Sequence, residues 1–247
     1  MKFSASGRAR LVSHQTDRPL GLDARPPRSS RRLGRAAPFL CALALLAALG
    51  CALAPEASCA DLPRGLNTKM PLNVDLAAGS VSFLAEVNRE AVGGVLQHFA
   101  VDKDGDYADK ALLRAFITPR QLHDALALLG FRAGNNMSMD NWNTQHVEGD
   151  ALSVSVFFEA TGKTADIAEL LKDPGGRGLD MRFGGNLKTA AGPDASGCLV
   201  CLFSCPMGIV SNHDALFKET GWLGPVQYRA AGVPENGGWA VVTIRRK

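Results

Sequence analysis

The sequence lacks the short motifs that mark the common enzyme classes. It contains no G-x-S-x-G nucleophile elbow, no H-E-x-x-H zinc motif, no Walker phosphate loop and no dinucleotide-binding fingerprint. It also lacks a repeat at a period of about 20–50 residues, which argues against solenoids and propellers. At 46% hydrophobic and 21% charged residues, the composition excludes a disordered chain and is typical of a globular protein. These absences favour a binding or accessory protein over an enzyme.

Most of the chain also lacks an excess of positive charge. The whole chain carries 27 Lys and Arg against 24 Asp and Glu, but nine of the basic residues and only three of the acidic ones fall within residues 1–60. Residues 61–247 therefore hold 18 basic and 21 acidic side chains, a net charge of −3. A protein that binds nucleic acid needs a basic surface for the phosphates, so this balance argues against a nucleic-acid partner.

Residues 1–60 have the pattern of an export leader. Residues 1–35 are rich in Arg and Ser, residues 36–54 form an uncharged apolar run of 19 residues, and small residues follow at 57–60. A basic n-region, an apolar h-region and a small-residue exit make up a secretory signal, so we expect cleavage after Ala60 and export to the periplasm or cell envelope. The alternative is that the apolar run remains as a membrane-spanning helix, for which it is just long enough.

A lipid anchor on Cys51 is a second route to the envelope. Residues 48–51, with the sequence Ala-Leu-Gly-Cys, resemble a bacterial lipobox, in which the cysteine after a small residue becomes the lipidated N-terminus. In either case we expect contact with a membrane only through the leader or the lipid anchor. With cleavage after Ala60, residues 61–247 are the mature part of the chain.

Residues 61–247 are predicted to form one compact α+β domain with a mostly antiparallel sheet and two main helices. Alternating or β-branched apolar residues predict strands at 72–76, 81–87, 112–117, 152–158 and 239–244. The first helix begins after Thr118, a good N-cap, with Pro119 at the first helical position and Gly130 as the stop. Apolar residues at helical spacing predict the second helix at 164–171.

Three cysteines lie close together in the C-terminal part of the chain. Cys198, Cys201 and Cys205 have the spacing C-x2-C-x3-C and are followed directly by a proline. The run matches the last three cysteines and the proline of the bacterial ferredoxin pattern, whereas the place of the first cysteine holds Ala195. Thiols this close can converge on one iron–sulfur cluster or zinc ion, and His213 is the nearest candidate for a fourth ligand.

Two other interpretations of these cysteines stay open. In an oxidising compartment two of them can form a disulfide that only staples the structure of an envelope protein, and Cys198 with Cys205 is a pair to test. The Cys198–Cys201 pair can also serve as the redox-active dithiol of a thiol–disulfide enzyme.

The remaining candidate ligands carry weaker signals. Asp102, Asp104 and Asp106 stand at alternate positions as in a calcium loop, but the glycine and the final acid that such a loop needs are missing, so a solvated turn is expected. His98 and His146 have no partner at a diagnostic spacing.

Several stretches together resemble the YdjY-like domain family of bacterial proteins. They are Pro-Leu-Asn-Val-Asp at 71–75, Leu-His-Asp-Ala-Leu-Ala-Leu-Leu-Gly at 122–130, Gly-Asp-Ala-Leu at 149–152, Phe-Gly-Gly-Asn at 183–186, the cysteine run, and Val-Ser-Asn at 210–212. Members of this family are often labelled ferredoxin-like or iron–sulfur proteins, so the resemblance implies an association with redox systems and a redox partner protein. We therefore expect an exported accessory or binding protein whose functional centre is the three-cysteine site.

Overall fold

The computed structural model describes residues 62–192, 196–220, 224–235 and 237–247. The leader predicted at 1–60 and the candidate lipidation site Cys51 lie outside these residues, so both stay predictions. Within the described ranges, no helix combines the length and the apolar character needed to cross a membrane.

Short strands dominate the described part of the chain. They are β1 (Leu72–Asp75), β2 (Ser80–Val87), β3 (His98–Asp102), β4 (Ala111–Ala115), β5 (Ala151–Phe158), β6 (Lys163–Asp166), β7 (Leu171–Lys172), β8 (Met181–Phe183), β9 (Cys198–Cys201), β10 (Val210–Asn212), β11 (Arg229–Ala230) and β12 (Trp239–Arg246). The α-helices are α1 (Pro119–Leu128) and α2 (Leu187–Ala190), and single 3-10 turns lie at Pro63–Gly65, Ala108–Lys110 and Phe217–Glu219.

Eight of these strands form a sheet that closes on itself. Their order is β2-β12-β5-β8-β10-β9-β3-β4, and β4 pairs back onto β2. β2 has three partners. β12 lies along one of its edges, and β1 and β4 share the other edge, where β1 pairs with the first half of β2 and β4 with the second half. Most pairs are antiparallel, whereas β3–β4 and β9–β10 are parallel. Closure gives each strand of the ring two neighbours, which removes the exposed edges of an open sheet.

The α+β class predicted from the sequence is wrong, because the structure is mostly β. Among the described residues, α1 is the only α-helix of more than four residues. The predicted second helix at 164–171 is instead β6, which pairs with β5, followed by a turn and β7. Ile167 and Leu170 are buried at that turn. Their spacing imitates a helical stripe, but over so few residues a turn between two strands produces the same pattern.

The other predicted elements are confirmed with small shifts at their ends. The predicted strands correspond to β1, β2, β4, β5 and β12, and the first predicted helix is α1. The Thr118 hydroxyl accepts a hydrogen bond from the backbone N–H of Gln121, whose side chain accepts one from the N–H of Thr118. This capping box, with Pro119 at the first position, explains why the helix begins where the sequence predicts.

Two hydrophobic clusters fill the described part of the protein. In the larger one, alternate residues of β5 and β12 pack with Leu122 and Leu126 of α1. The smaller one joins the end of β3 and the start of β4 to β9 and the loop that follows it. We call this smaller group the cysteine cluster; its buried members are Val101, Ala108, Ala111, Cys198, Cys201, Phe203, Cys205 and Ala215.

The cysteine cluster depends on a close backbone contact between two glycines. A Cβ added at Gly105, in the turn after β3, would stand 2.8 Å from the Cα of Gly197 and 2.9 Å from the carbonyl oxygen of Ser196. Gly197 lies directly before β9 and has a φ of 72°, which residues with side chains rarely adopt. Its carbonyl accepts a hydrogen bond from the Asp102 N–H at 2.8 Å. The stretch 102–106 is therefore a turn that packs directly against the residues before β9.

Replacing Gly105 with alanine is expected to destabilise the fold by about 1–3 kcal/mol, because the new Cβ meets backbone atoms. Gly93→Ala is the matched control, since Gly93 lies exposed in a turn and a Cβ there meets nothing within 4 Å. We expect the control to change the free energy of unfolding by less than about 0.5 kcal/mol. Chemical denaturation measures both values, and equal stability of the two variants would contradict the close contact.

Candidate metal centre

The three cysteines of the sequence motif come together in one buried place. β9 carries Cys198 and Cys201, and the loop at 202–209, which returns the chain to β10, carries Cys205. All three side chains are fully buried, and all three thiols are free. No disulfide joins two of these three cysteines in the structure, and the Cys198–Cys205 pair named as one to test is not bonded.

An irregular stretch of sheet brings Cys198 and Cys201 to the same side. In a regular strand, two residues three positions apart point to opposite faces. The partners along β3 and β9 are His98–Cys201, Ala100–Val200 and Val101–Cys198, so the register shifts twice within this short stretch. A bulge of this kind leaves a residue unopposed and re-aims the neighbouring side chains. Both thiols consequently lie in the cysteine cluster, whereas the two residues between them pack in the larger core.

His98 brings an imidazole to the two thiols from the neighbouring strand. Its Nδ1 atom lies 3.4 Å from the Sγ of Cys198 and 3.9 Å from the Sγ of Cys201. The ligand atoms of the three residues all lie within 4.8 Å of one another, and all three residues are buried. One imidazole nitrogen and two sulfurs in this arrangement can hold a metal ion.

Cys205 lies next to this group. Its thiol interacts with the thiol of Cys201 and accepts the backbone N–H of Met207 at 3.3 Å. It does not belong to the set of ligand atoms that all lie within 4.8 Å of one another. The side chain of Asn186 donates to the Cys205 carbonyl at 3.1 Å and so holds this part of the loop in place.

His213, expected as the fourth ligand, makes different contacts. It follows β10, is half-buried, and places its Nδ1 atom 2.8 Å from the carbonyl oxygen of Val147. Its ring lies beside that of His146, with the centroids 4.9 Å apart. Among the described residues, the group that can hold an ion contains His98 and does not contain His213. The cysteines thus meet an imidazole from a different strand than the sequence suggested.

Burial controls the protonation of the groups at the site. Desolvation, with the positive charge of Lys110, lowers the pKa of His98 to about 4, so its imidazole is neutral near pH 7. Burial raises the pKa of the Cys201 and Cys205 thiols well above the ordinary value. The hydrogen bond with Cys201 lowers the pKa of Cys198, but burial and the nearby Cys205 outweigh it, and the net shift is upward. The thiols are therefore protonated, and a metal ion must displace these protons.

Aromatic side chains surround the group, and a cleft reaches it. Tyr107 stacks on the His98 ring with the centroids 5.1 Å apart, and the ring of Phe203 lies 6.4 Å away. A cleft of about 410 Å³ is lined in part by His98, Gln97 and Lys110. The thiols are thus shielded from water, while the imidazole retains a route of access from the surface.

A buried polar framework holds the loop that carries Cys205. The Asn212 side chain donates to the carbonyl of Leu202 at 3.3 Å and lies 3.0 Å from the Tyr228 hydroxyl. The Ser204 hydroxyl donates to the carbonyl of Asn212 at 3.1 Å and accepts the N–H of Val147 at 3.0 Å. Buried polar groups are costly when they lack partners, so these bonds favour one conformation of the loop.

Sequence reasoning missed His98 as a candidate ligand. It lies 100 positions before Cys198, and only the pairing of β3 with β9 brings the two residues together. The only sequence feature that pointed to it was its position: His98 directly precedes the apolar residues 99–101 and begins the buried strand that they form. A histidine in such a run is a candidate ligand, but no spacing rule connects it to a distant cysteine motif.

The chain is similar to proteins of one family. A family model described as "YdjY domain" matches residues 72–245. The chain is 38% identical over 208 residues to a protein of Escherichia coli (strain K12) named "Uncharacterized protein YdjY", and the match covers 83% of this chain and 92% of that protein. No solved structure matches the chain. The resemblance seen in the sequence is confirmed, and the chain belongs to the YdjY domain family.

Proposed function

We propose that this protein is an exported accessory protein that binds one zinc-type metal ion in the cysteine cluster. The ligands are the Nδ1 atom of His98 and the thiolates of Cys198, Cys201 and Cys205. One observation carries the proposal: three buried ligand atoms from two strands distant in the sequence converge to within 4.8 Å of one another.

The separations at the site support a tetrahedral ion. Bonds of about 2.3 Å to sulfur and about 2.0 Å to nitrogen, at tetrahedral angles, place the two ligand atoms about 3.5 Å apart. The Nδ1 atom of His98 stands 3.4 Å and 3.9 Å from the sulfurs of Cys198 and Cys201. Cys205, fully buried in the same cluster and interacting with Cys201, can supply the fourth bond. Three cysteines and one histidine are a ligand set of structural zinc sites.

An iron–sulfur cluster is the second candidate, and the cysteine spacing favours it because the run matches part of the ferredoxin pattern. A cluster, however, distributes its ligands over several iron atoms, so its ligand atoms stand farther apart than those around one ion. The tight grouping of His98, Cys198 and Cys201 favours the single ion. A redox role and a redox partner protein are expected only if the site holds an iron–sulfur cluster.

The geometry does not favour a thiol–disulfide enzyme. Such an enzyme attacks with an accessible thiolate and therefore needs a depressed thiol pKa. Burial instead raises the pKa of Cys201 well above the ordinary value, and both Cys198 and Cys201 are fully buried. The pair lacks both properties that the enzyme hypothesis requires.

A closed set of four protein ligands gives the ion a structural role. When bound, it supplies ligand bonds that fasten β3 and β9 to the loop at 202–209, and it leaves no open position for a substrate. The cleft beside His98 provides the ion with a route to the site. The neutral imidazole of His98 is already in the form that binds a metal.

The proposal that the protein is exported is supported by the leader predicted at residues 1–60. Its basic segment at 1–35, its apolar run at 36–54 and the small residues before Asp61 match a secretory signal. We propose a periplasmic or envelope location for the mature protein. In an oxidising compartment a bound metal ion protects neighbouring thiols from forming disulfides, which suits three free cysteines in one cluster.

Anaerobically purified protein is expected to contain about one equivalent of zinc, bound by the closed four-ligand set. Cys201→Ser should lower the affinity at least about 100-fold, because it removes a central ligand. Metal analysis measures the content, and titration with Co²⁺ reports thiolate ligation through a charge-transfer band in the near ultraviolet. Iron with acid-labile sulfide in place of zinc would support the cluster instead.

His123→Ala is the matched control for this measurement. His123 lies on α1, where its Nδ1 atom stands 3.1 Å from the carboxylate of Asp124, and its replacement should leave the metal content unchanged. Failure of the reduced protein to take up Zn²⁺, or wild-type affinity in Cys201→Ser, would falsify the proposed centre.

Export predicts a processed N-terminus. Expressed from the full chain in a bacterial host, the mature protein should begin at Asp61, and intact-mass measurement of the periplasmic fraction tests this. Cys51→Ala should leave the processing unchanged, whereas the same substitution abolishes it if Cys51 is the lipidated terminus. Full-length chain retained in the cytoplasmic fraction contradicts export.

A further inference from the structure

We infer that His146 and His213 form a second metal site, which takes a divalent transition-metal ion through the two Nε2 atoms. The site shares no ligand with the cysteine cluster and does not depend on a metal ion being bound there. Three observations support it: the hydrogen bonds of the two rings, the separation of the rings, and the anchored backbone around them.

The hydrogen bonds leave the same nitrogen available on both rings. The Nδ1 atom of His146 is hydrogen-bonded to the carbonyl oxygen of His213, and the Nδ1 atom of His213 lies 2.8 Å from the carbonyl oxygen of Val147. A carbonyl oxygen can only accept, so each Nδ1 atom carries the proton. In the neutral imidazole, Nε2 then holds the free lone pair. Metal-binding histidines are commonly held in this way, with the other ring N–H on a carbonyl.

The separation of the rings suits a shared ion. The ring centroids are 4.9 Å apart, and the ring planes are inclined by 36°. Two imidazoles that bind one ion at about 2.0–2.1 Å, at angles close to tetrahedral, place their centroids about 5 Å apart. The two rings therefore already have the spacing of a pair of ligands on one centre.

The backbone that carries both histidines is anchored. The N–H of His213 donates to the carbonyl of Asp180 at 2.8 Å, and the carbonyl of His146 accepts from the side chain of Asn136 at 2.9 Å. The next residue, Val147, donates its N–H to the buried Ser204 hydroxyl at 3.0 Å. A site whose backbone is already ordered loses little conformational entropy when it binds an ion.

The chemistry of the pair determines which ions it takes. Two imidazole nitrogens favour ions such as Zn²⁺, Ni²⁺ and Cu²⁺ over Ca²⁺ and Mg²⁺, which prefer oxygen ligands. Both rings are half-buried, so water or a small anion can occupy the remaining coordination positions. The cysteine cluster offers a closed set of mostly sulfur ligands, whereas this pair offers an open site with nitrogen ligands.

Isothermal titration of the full chain with Zn²⁺ tests the site. With the cysteine cluster filled by a first equivalent, we expect a second, weaker equivalent whose affinity falls at least about tenfold in His146→Ala and in His213→Ala. His123→Ala should bind like the wild type. Cys201→Ser, which impairs the cysteine cluster, should retain this weaker equivalent, so failure of one site is distinguishable from failure of the other.

Nitrogen NMR of the wild-type imidazoles covers the case in which a variant does not fold. Before metal is added, both rings should show a protonated Nδ1 atom. On addition of the second equivalent of Zn²⁺, the Nε2 resonances of both His146 and His213 should shift. The inference is overturned if those resonances do not move, or if both alanine variants retain the weaker equivalent with unchanged affinity.

Discussion

The antiparallel pairing of β3 with β9 is the constraint on which the cysteine cluster depends. In a regular register, Cys198 and Cys201 would point to opposite faces of the sheet. The two register shifts bring both thiols to one side, where the Nδ1 atom of His98 meets them. The close approach of Gly105 to Gly197 lies directly before Cys198, the first residue of β9. The turn after β3 therefore packs beside the strand that carries Cys198 and Cys201.

Burial explains the chemistry of the cluster. Strands of the closed sheet and the loop at 202–209 bury three thiols and an imidazole among apolar side chains. The same desolvation raises the pKa of the thiols and lowers that of His98, so the buried groups are neutral near pH 7. An ion that enters this environment replaces thiol protons and shares its charge with the ligands, and metal binding is thereby coupled to proton release and to the stability of the fold.

The histidines differ in the nitrogen that they make available. His98 directs its Nδ1 atom at sulfur, whereas His146 and His213 use theirs for hydrogen bonds to backbone carbonyls. The first arrangement belongs to a buried group in which the imidazole lies beside two thiols. The second leaves Nε2 free on two neighbouring, half-buried rings. One fold thus presents two imidazole environments whose chemistry differs in ligand set, burial and access.

The sequence alone predicted the strands and the helix that depend on interactions between residues near one another in the chain. Alternating side chains predicted five strands, and the capping box at Thr118 predicted α1. The prediction of a helix at 164–171 was wrong, because so short an apolar pattern does not distinguish a helix from a turn between two strands. The cysteine spacing predicted that the thiols can lie near one another, but the register shifts between β3 and β9 bring Cys198 and Cys201 to one side. Only the tertiary structure decided that the sheet closes, that His98 joins the thiols and that His213 pairs with His146, because strand pairing brings together residues that no sequence spacing connects.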